Sequence, residues 1–262
     1  MSALEALVVV LAGVGAGTIN TIVGSGTLIT FPTLVFFGYP PLVANISNNI
    51  GLVAGGLSGS VGYRRELEGA GPSLRRLMPM SLLGAVTGAL LLRVLPAEAF
   101  STIVPVLIGI GVLLVLLGPR IQARSALRRA SAGESPATRL PRWHTPLLLG
   151  GTYVAGVYGG YFGAAQGVVL VGLLSALTSE PLQRLNGYKN VLALVVNAVA
   201  ALVFVLVARD LVDWWVVLLI AAGSLLGGVV GATVGRRLPP AVLRGIIVTI
   251  GLVAIVKFVW FP

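Results

Sequence analysis

Cysteine is absent from the 262 residues, and charged side chains are scarce. Without cysteine the chain has no disulfide framework, no thiolate metal site and no cysteine nucleophile. Charged residues make up 10% of the sequence, against roughly 25% in soluble domains. No nucleotide-binding P-loop is present, so the chain has no visible route to ATP energy. The single histidine, His144, lies beside Trp143 in a polar stretch, which argues against a buried proton relay.

Hydrophobic residues, by contrast, make up 56% of the chain, and the mean hydropathy is +0.99. Several apolar runs reach the roughly 20 residues that one helix needs to cross a bilayer. Helices satisfy their own backbone polar groups in lipid, whereas open sheets do not. The composition therefore predicts an all-α polytopic membrane protein embedded in a lipid bilayer. In such a protein the net charge of +10 reports orientation, and no nucleic-acid partner is expected.

The apolar segments fall into two sets. In the first set, a glycine-broken stretch at 4–37 precedes fuller spans at 42–63, 77–95 and 100–117, with a charged loop at 64–76. In the second, a glycine-broken stretch at 146–178 precedes spans at 185–207, 214–234 and 241–260. These sets predict a first transmembrane repeat at 1–118, a basic linker at 119–144 and a second repeat at 145–262. Roughly 33 residues of helix would be about 50 Å long, so each broken stretch is expected to form a pair of short or re-entrant helices.

The two sets are also related residue by residue. Residues 81–96, SLLGAVTGALLLRVLP, align without gaps with residues 224–239, SLLGGVVGATVGRRLP. Each segment contains a GxxxG spacing, Gly84 with Gly88 and Gly227 with Gly231, which lets helices approach closely. These four glycines are expected to serve helix packing. Internal repeats of this kind predict two homologous halves of four to five segments each.

The distribution of Lys and Arg favours inverted halves, with the amino terminus outside and the linker in the cytoplasm. In that arrangement the inner side receives Arg64, Arg65, Arg75, Arg76, Arg120, Arg124, Arg128, Arg129, Arg139, Arg142, Arg184, Arg236, Arg237 and Arg244. Only Arg93, Arg209 and Lys257 fall outside. A parallel repeat would move Arg236, Arg237 and Arg244 outward, against the usual Lys/Arg bias of cytoplasmic loops.

The helix breaks occupy corresponding positions in the two halves. Gly24-Ser25-Gly26 corresponds to Ala165-Gln166-Gly167, and Asn20 and Thr27 lie nearby in the first half. In transporters with inverted repeats, such interrupted segments mark a site near the midplane. The ends of broken helices present N–H groups that can hold an anion. Alternatively, the glycines only permit tight packing, and the hydroxyls bond back to their own helices.

Two matching polar faces follow the breaks. Residues 38–49, GYPPLVANISNN, align without gaps with residues 179–190, SEPLQRLNGYKN. Asn45, Asn48 and Asn49 have i, i+3 and i+4 spacing, which places them on one helix face, and Asn186, Lys189 and Asn190 repeat it. Buried amides and a buried lysine require partners or a watery cavity. The faces are expected to line a substrate path, with interhelical hydrogen bonding as the alternative for the amides and snorkelling to the headgroups as the alternative for Lys189.

The runs GTINTIVGSGTLITFPTLVFFGYPPLVANISNNIG, GGYFGAAQGVVLVGLL and LQRLNGYKNVLALVVNAVAALVF resemble the two signatures of the TauE/SafE family of sulfite and sulfonate exporters. The likeness covers nearly the whole chain. It implies a permease that moves small sulfur-containing anions across a bacterial-type cytoplasmic membrane. The family's longer glycine run is reduced to GSG in this sequence.

Together these features predict a secondary transporter, acting as an exporter of small anions such as sulfite or organosulfonates. The sequence offers no catalytic or metal constellation, so neither an enzyme nor a cofactor is expected. A permease for other organic anions, a membrane-embedded enzyme and a non-transporting assembly subunit are the alternatives. An H+ or Na+ gradient, or the substrate's own gradient, would drive transport, and a homo-oligomer is compatible with the sequence.

Overall fold

A computed structural model describes residues 1–131, 144–233 and 240–260, and these ranges contain ten α-helices and one short 3-10 helix. The first half contributes α1 (Ala3–Ile22), α2 (Thr27–Phe36), α3 (Pro41–Gly62), α4 (Gly71–Val94) and α5 (Ala97–Ser131). The second contributes α6 (His144–Tyr161), α7 (Gln166–Leu177), α8 (Leu182–Val207), the 3-10 helix (Arg209–Leu211), α9 (Trp214–Thr233) and α10 (Pro240–Trp260). The prediction of an all-α fold is confirmed.

Five helices within the described ranges are long and apolar enough to cross a membrane. They are Ala3–Ile22, Gly71–Val94, Glu98–Arg120, Leu182–Val207 and Trp214–Thr233. Helices α2 and α7 have only 10 and 12 residues, which corresponds to about 15 and 18 Å and is too short to span the hydrocarbon core. All of α2 except Thr33 and Phe36 is buried. An apolar helix covered on nearly all sides lies inside the protein rather than against lipid.

Each glycine-rich stretch breaks where it is predicted to break, and the backbone geometry explains why. Gly24 has φ +88°, and Ala165 at the corresponding position has φ +62°. Left-handed residues cannot continue a right-handed helix. The prediction of two short helices is nevertheless wrong for α1, which continues for 20 residues through Gly13, Gly15 and Gly17. Two of these glycines, Gly13 and Gly17, lie against the backbone of α9, so close packing compensates for their weak helix propensity.

Two polar segments contain more helix than predicted. The loop at 64–76 ends early because α4 begins at Gly71, with Pro72 in its first turn, where proline is favoured. Beyond residue 118, α5 continues to Ser131 and includes Pro119. Residues 119–131 are rich in Ala and Arg, which have high helix propensity. The division into two repeats and a linker stays a prediction, and residues 132–143 of the predicted linker lie outside the described residues.

Each half packs its fourth helix against the first helix of the other half. A Cβ added at Gly84 would lie 2.3 Å from the Tyr153 backbone oxygen, and one at Gly88 would lie 2.1 Å from that of Val157, so α4 contacts the backbone of α6. The paired glycines of α9, Gly227 and Gly231, contact the backbone of α1 in the same way. The expectation that all four glycines serve packing agrees with these contacts.

Helices α3 and α8 contact each other in antiparallel directions. Near the start of α3, Ser47 Oγ accepts a hydrogen bond from the Asp213 amide, which follows the end of α8. Just after α3, the Glu66 carbonyl accepts a bond from Arg184 Nε in the first turn of α8. The corresponding helices of the two halves therefore run in opposite directions at this contact. Inversion of the halves across the membrane stays a prediction, and Arg236 and Arg237, which favoured it, lie outside the described residues.

Candidate functional site

The two helix breaks meet at backbone distance. The Gly167 amide donates a hydrogen bond of 3.0 Å to the Gly24 carbonyl, which joins the start of α7 to the break before α2. A Cβ at Gly24 would lie 2.4 Å from the Gly167 α-carbon, and a Cβ at Gly167 would lie 2.5 Å from the Gly24 α-carbon. Gly26 is equally confined, because a Cβ there would lie 2.5 Å from the Ala16 carbonyl oxygen. A side chain at Gly24 or Gly167 would push the halves apart, and one at Gly26 would push α2 away from α1 within the first half.

Lys189 lies beside this contact and is almost completely buried, with 1% of its surface exposed. Its Nζ donates to the carbonyl oxygens of Asn20 at 2.9 Å and of Thr21 at 2.8 Å. These carbonyls belong to the last turn of α1, where the negative end of the helix dipole favours a cation. The alternative of snorkelling is wrong, because the ammonium group bonds inside the protein. An ammonium group has three N–H donors. Within the described residues two of them have acceptors, so the third N–H of Lys189 can bond a ligand.

Asn45 makes the counterpart contact in the other direction. Its Nδ2 donates a 3.0 Å bond to the carbonyl of Tyr161, at the end of α6. The same residue register that pairs Asn45 with Asn186 pairs Tyr161 with Asn20. Each half therefore holds the corresponding carbonyl at the end of the other half's first helix, but Asn45 does so in one case and Lys189 in the other. This exchange ties the two helix breaks to the two polar faces.

The remaining first-half amides have partners of different kinds. Asn48 Oδ1 accepts a bond from the Thr30 hydroxyl, and its Nδ2 donates to Thr27 Oγ1 at 3.4 Å, so this amide joins α3 to the first turns of α2. Asn49 Nδ2 donates to Asn197 Oδ1 across the α3–α8 contact at 3.5 Å. For Asn48 the interhelical alternative agrees with the structure. For Asn49 the bond is long, and its Oδ1 is buried without a partner among the described residues.

Several buried polar atoms around the breaks have no hydrogen-bond partner within the described part of the chain. Ser25 is 0% exposed, Gln166 is 4% exposed and Asn190 is 5% exposed. The unpartnered atoms include Ser25 Oγ, Gln166 Nε2, Asn190 Nδ2, Asn45 Oδ1 and Tyr161 OH. A buried polar group without a partner is destabilising by about 1–3 kcal/mol. Ser25 and Gln166 occupy corresponding positions, so unused polar groups occur at the start of both α2 and α7.

Not every predicted residue joins this arrangement. Asn186 is half-buried, and the described residues provide no hydrogen bond to its side chain. The Asn20 side chain is also half-buried, and the residue contributes through its carbonyl. The backbone N–H groups at the start of α7 are less available to an anion than expected, because the Gln166 and Gly167 amides already donate to the carbonyls of Gly163 and Gly24.

Comparison with known proteins identifies the family. The family model described as sulfite exporter TauE/SafE matches residues 9–258. This chain belongs to the TauE/SafE family. No solved structure matches it with significance.

Curated relatives of this TauE/SafE chain carry transporter names. It is 26% identical over 245 residues to the probable membrane transporter protein YfcA of Escherichia coli (strain K12), covering 94% of this chain and 86% of the relative. It is 26% identical over 251 residues to a probable membrane transporter protein of Haemophilus influenzae, covering 95% and 92% of the two chains. The probable membrane transporter protein ORF9 of a Sinorhizobium species is 25% identical over 250 residues, with 94% and 89% covered. The protein is thus an integral membrane transporter rather than an enzyme.

Sequence reasoning missed Thr30, Tyr161 and Asn197. Asn197 follows Asn190 by seven residues, which is two helical turns, so helical spacing could have placed it on the same face of α8. Tyr161 corresponds to Asn20 in the register of the two halves. Its carbonyl and buried hydroxyl could have been found by extending the repeat toward the amino terminus of each half. Thr30 has no such signal, because its partner Asn48 is defined only once α2 folds against α3.

Proposed function

We propose that this TauE/SafE transporter is a secondary exporter of small sulfur-containing anions, such as sulfite or organosulfonates, across the cytoplasmic membrane. The observation that carries the proposal is the contact of the two helix breaks beside Lys189, with unpartnered buried groups on Ser25, Gln166 and Asn190. A permease for other small organic anions is the second candidate, because the same donors would also serve a carboxylate.

The chemistry of these groups supports an anion. Lys189 brings a positive charge, and within the described residues no carboxylate forms a salt bridge with it. Gln166 Nε2 and Asn190 Nδ2 are donors only, and a serine hydroxyl can donate. A sulfur oxyanion has several acceptor oxygens, and hydrogen bonds to a charged partner are about twice as strong as neutral ones in a low-dielectric interior.

The arrangement of the halves supports alternating access. Transporters with inverted repeats expose a fixed central site by rocking one repeat against the other. The antiparallel contact of α3 with α8 and the reciprocal packing of α4 on α6 and α9 on α1 support such a relationship. The basic segment 119–144 is then cytoplasmic, in keeping with the Lys/Arg bias. We further propose that an H+ or Na+ gradient, or the substrate's own gradient, drives export, and that any homo-oligomer leaves one such site in each chain.

Sulfite efflux from proteoliposomes tests this function. Purified protein is reconstituted in vesicles loaded with sulfite, sulfoacetate or, for comparison, acetate, and the released anion is measured over time. Wild-type protein should release the sulfur-containing anions well above the rate of protein-free vesicles. Lys189→Met should lower that rate about tenfold or more, because a charge-assisted hydrogen bond is removed from the site.

Arg75→Gln is the matched control, since it also removes one positive charge but from an exposed position in α4. It should leave the efflux rate unchanged. Equal rates for wild-type protein and Lys189→Met would contradict the proposed site. Efflux of acetate without efflux of sulfite or sulfoacetate would contradict the sulfur-anion proposal and support the second candidate. Imposing H+ and Na+ gradients separately on the same vesicles identifies the driving ion.

A further inference from the structure

A cleft of about 770 Å³ opens between the start of α4, the start of α6 and the turn from α7 to α8. Its volume lies within the roughly 300–1,000 Å³ typical of small-molecule sites. The cleft reaches Leu174 and Thr178 at the end of α7, whereas Gln166 lies at the opposite end of that helix. The 12 residues of α7 place the two regions about 18 Å apart along the helix. The cleft is therefore distinct from the contact between the helix breaks.

The charge of the cleft comes from two arginines and one glutamate, Arg76, Arg184 and Glu180. Arg184 Nη1 bonds Glu180 Oε2 at 3.1 Å, and Arg184 Nε donates to the Glu66 carbonyl at 3.3 Å. This pair is fixed, and its charges offset each other. Arg76 has an exposed side chain and supplies the net positive charge of the cleft. A planar guanidinium is suited to bind a carboxylate, sulfonate or phosphate through two hydrogen bonds.

Part of the cleft is apolar. Its lining includes Leu77, Leu148, Leu149 and Leu174. Ser73 adds a hydroxyl group, whereas the Thr178 hydroxyl already donates to the Leu174 carbonyl. A bare inorganic anion would use the arginine but leave the half-buried Leu148 and Leu149 in contact with water. An anion that carries an apolar portion would satisfy both parts, since burial of apolar surface contributes about 25 cal/mol per Å².

The two corresponding positions in the other half hold uncharged residues. In the register that pairs residues 179–190 with 38–49, Arg184 corresponds to Val43. Extending the register of residues 81–96 and 224–239 by five positions pairs Arg76 with Leu219. Both arginines are thus replaced by apolar residues at the opposite end of the molecule. A feature needed only for packing of the repeat would have no reason to differ in this way.

We propose that this arginine cleft, formed by Arg76, Arg184 and the leucines that line it, is a peripheral binding site for amphipathic anions, in which a sulfonate, carboxylate or phosphate bonds Arg76 and an apolar portion contacts Leu148 and Leu149. The anion is either a free organic anion or the headgroup of an anionic lipid. Binding in this cleft does not depend on which anion the protein transports.

Calorimetric titration of benzenesulfonate into wild-type protein in phosphatidylcholine nanodiscs tests the site. Arg76→Gln should weaken binding about tenfold, because one charge-assisted interaction is lost. Arg75→Gln is the matched control, since the neighbouring arginine is exposed but does not line the cleft. It should leave affinity unchanged. Thr145→Trp, which places a large side chain at the rim of the cleft, should also weaken binding and provides a second variant at an exposed position.

Nanodiscs that contain phosphatidylglycerol distinguish the two sources of the anion. If this lipid competes with benzenesulfonate in wild-type protein but not in Arg76→Gln, the cleft holds a lipid headgroup. If benzenesulfonate binding is unaffected by the lipid, the cleft holds a free organic anion. Equal affinities of wild-type protein, Arg76→Gln and Thr145→Trp, or undetectable binding to all three, would overturn the proposal. Because benzenesulfonate could also bind at the proposed transport site, the titrations are repeated in the Lys189→Met background. There the weakening by Arg76→Gln should persist, which separates the cleft from failure of the proposed transport site.

Discussion

The contact between Gly24 and Gly167 offers the sharpest test of how the two halves are joined. Gly24→Ala introduces two separate problems. The residue has φ +88°, and its new Cβ would lie 2.4 Å from the Gly167 α-carbon. Because the obstructing atoms belong to backbone, no flexible side chain can move aside.

The magnitude follows from these two effects. A left-handed residue with a Cβ is destabilised by about 1–2 kcal/mol. Overpacking of a well-packed core is destabilising by about 1–3 kcal/mol. If the effects add, Gly24→Ala lowers the free energy of unfolding by about 2–5 kcal/mol. A substitution with only one of the two problems should lose correspondingly less.

Three other glycines separate the two effects. Gly38 has φ +85° but no atom within 4 Å of an added Cβ, so Gly38→Ala reports the backbone effect alone. Gly167→Ala reports the contact alone, since its Cβ would lie 2.5 Å from the Gly24 α-carbon. Gly150 lies in α6 with open space around it, and Gly150→Ala should cause no loss of stability.

Equilibrium unfolding of the four variants in mixed micelles, with increasing denaturing detergent, measures these differences. The expected order of stability is Gly150→Ala, then Gly38→Ala and Gly167→Ala, then Gly24→Ala. The reasoning is refuted if Gly24→Ala unfolds at the same detergent fraction as Gly38→Ala, because the contact between the halves would then contribute nothing.

Three further predictions concern packing and the polar faces. Ser224→Ala removes hydrogen bonds to the Gly51 carbonyl and the Gly55 amide. It should lower the free energy of unfolding by about 1–3 kcal/mol and retain sulfite efflux. Unchanged stability would show that these bonds are unimportant. Gly88→Leu should abolish folding, because a Cβ would lie 2.1 Å from the Val157 backbone oxygen. On gel filtration this variant should aggregate, while the exposed Gly150→Leu variant remains monodisperse. A monodisperse Gly88→Leu protein would contradict the α4–α6 contact. Asn197→Leu should lower the free energy of unfolding by about 1 kcal/mol through loss of the hydrogen bond from Asn49. If Asn197→Leu is equally destabilising in the Asn49→Leu background and in the wild type, the two side chains are not coupled.

Much of the fold follows from local patterns that act over a few residues. Left-handed backbone at Gly24 interrupts the first broken stretch, and the apolar runs predict α3, α8, α9 and α10 to within a few residues. The continuation of α5 to Ser131 differs from the sequence prediction, because Pro119 and the arginines that follow it are typical of a polar linker. The arginines and alanines of this segment nevertheless favour helix, and a helix can accommodate a proline by a kink.

The site was predictable as a set of positions but not as a set of contacts. The repeated spacing predicts that Asn45 and Lys189 lie on the matching polar faces of the two halves. Each of them donates a hydrogen bond to the other half. The sequence could not indicate that each would hold a carbonyl at a helix end, because those carbonyls are defined only by the breaks in α1 and α6. Nor could spacing reveal that Asn48 would bond Thr27 and Thr30 within its own half.

The central claim is that the helix breaks and Lys189 form one anion site. Equilibrium binding of radiolabelled sulfite to purified Gln166→Glu protein tests it most directly, because the change keeps the shape of a side chain that is 4% exposed and replaces a donor with a negative charge. The site predicts that Gln166→Glu loses sulfite binding, that Gln166→Met weakens it by about tenfold, and that Arg75→Gln binds as wild type. Wild-type affinity in Gln166→Glu would contradict the claim.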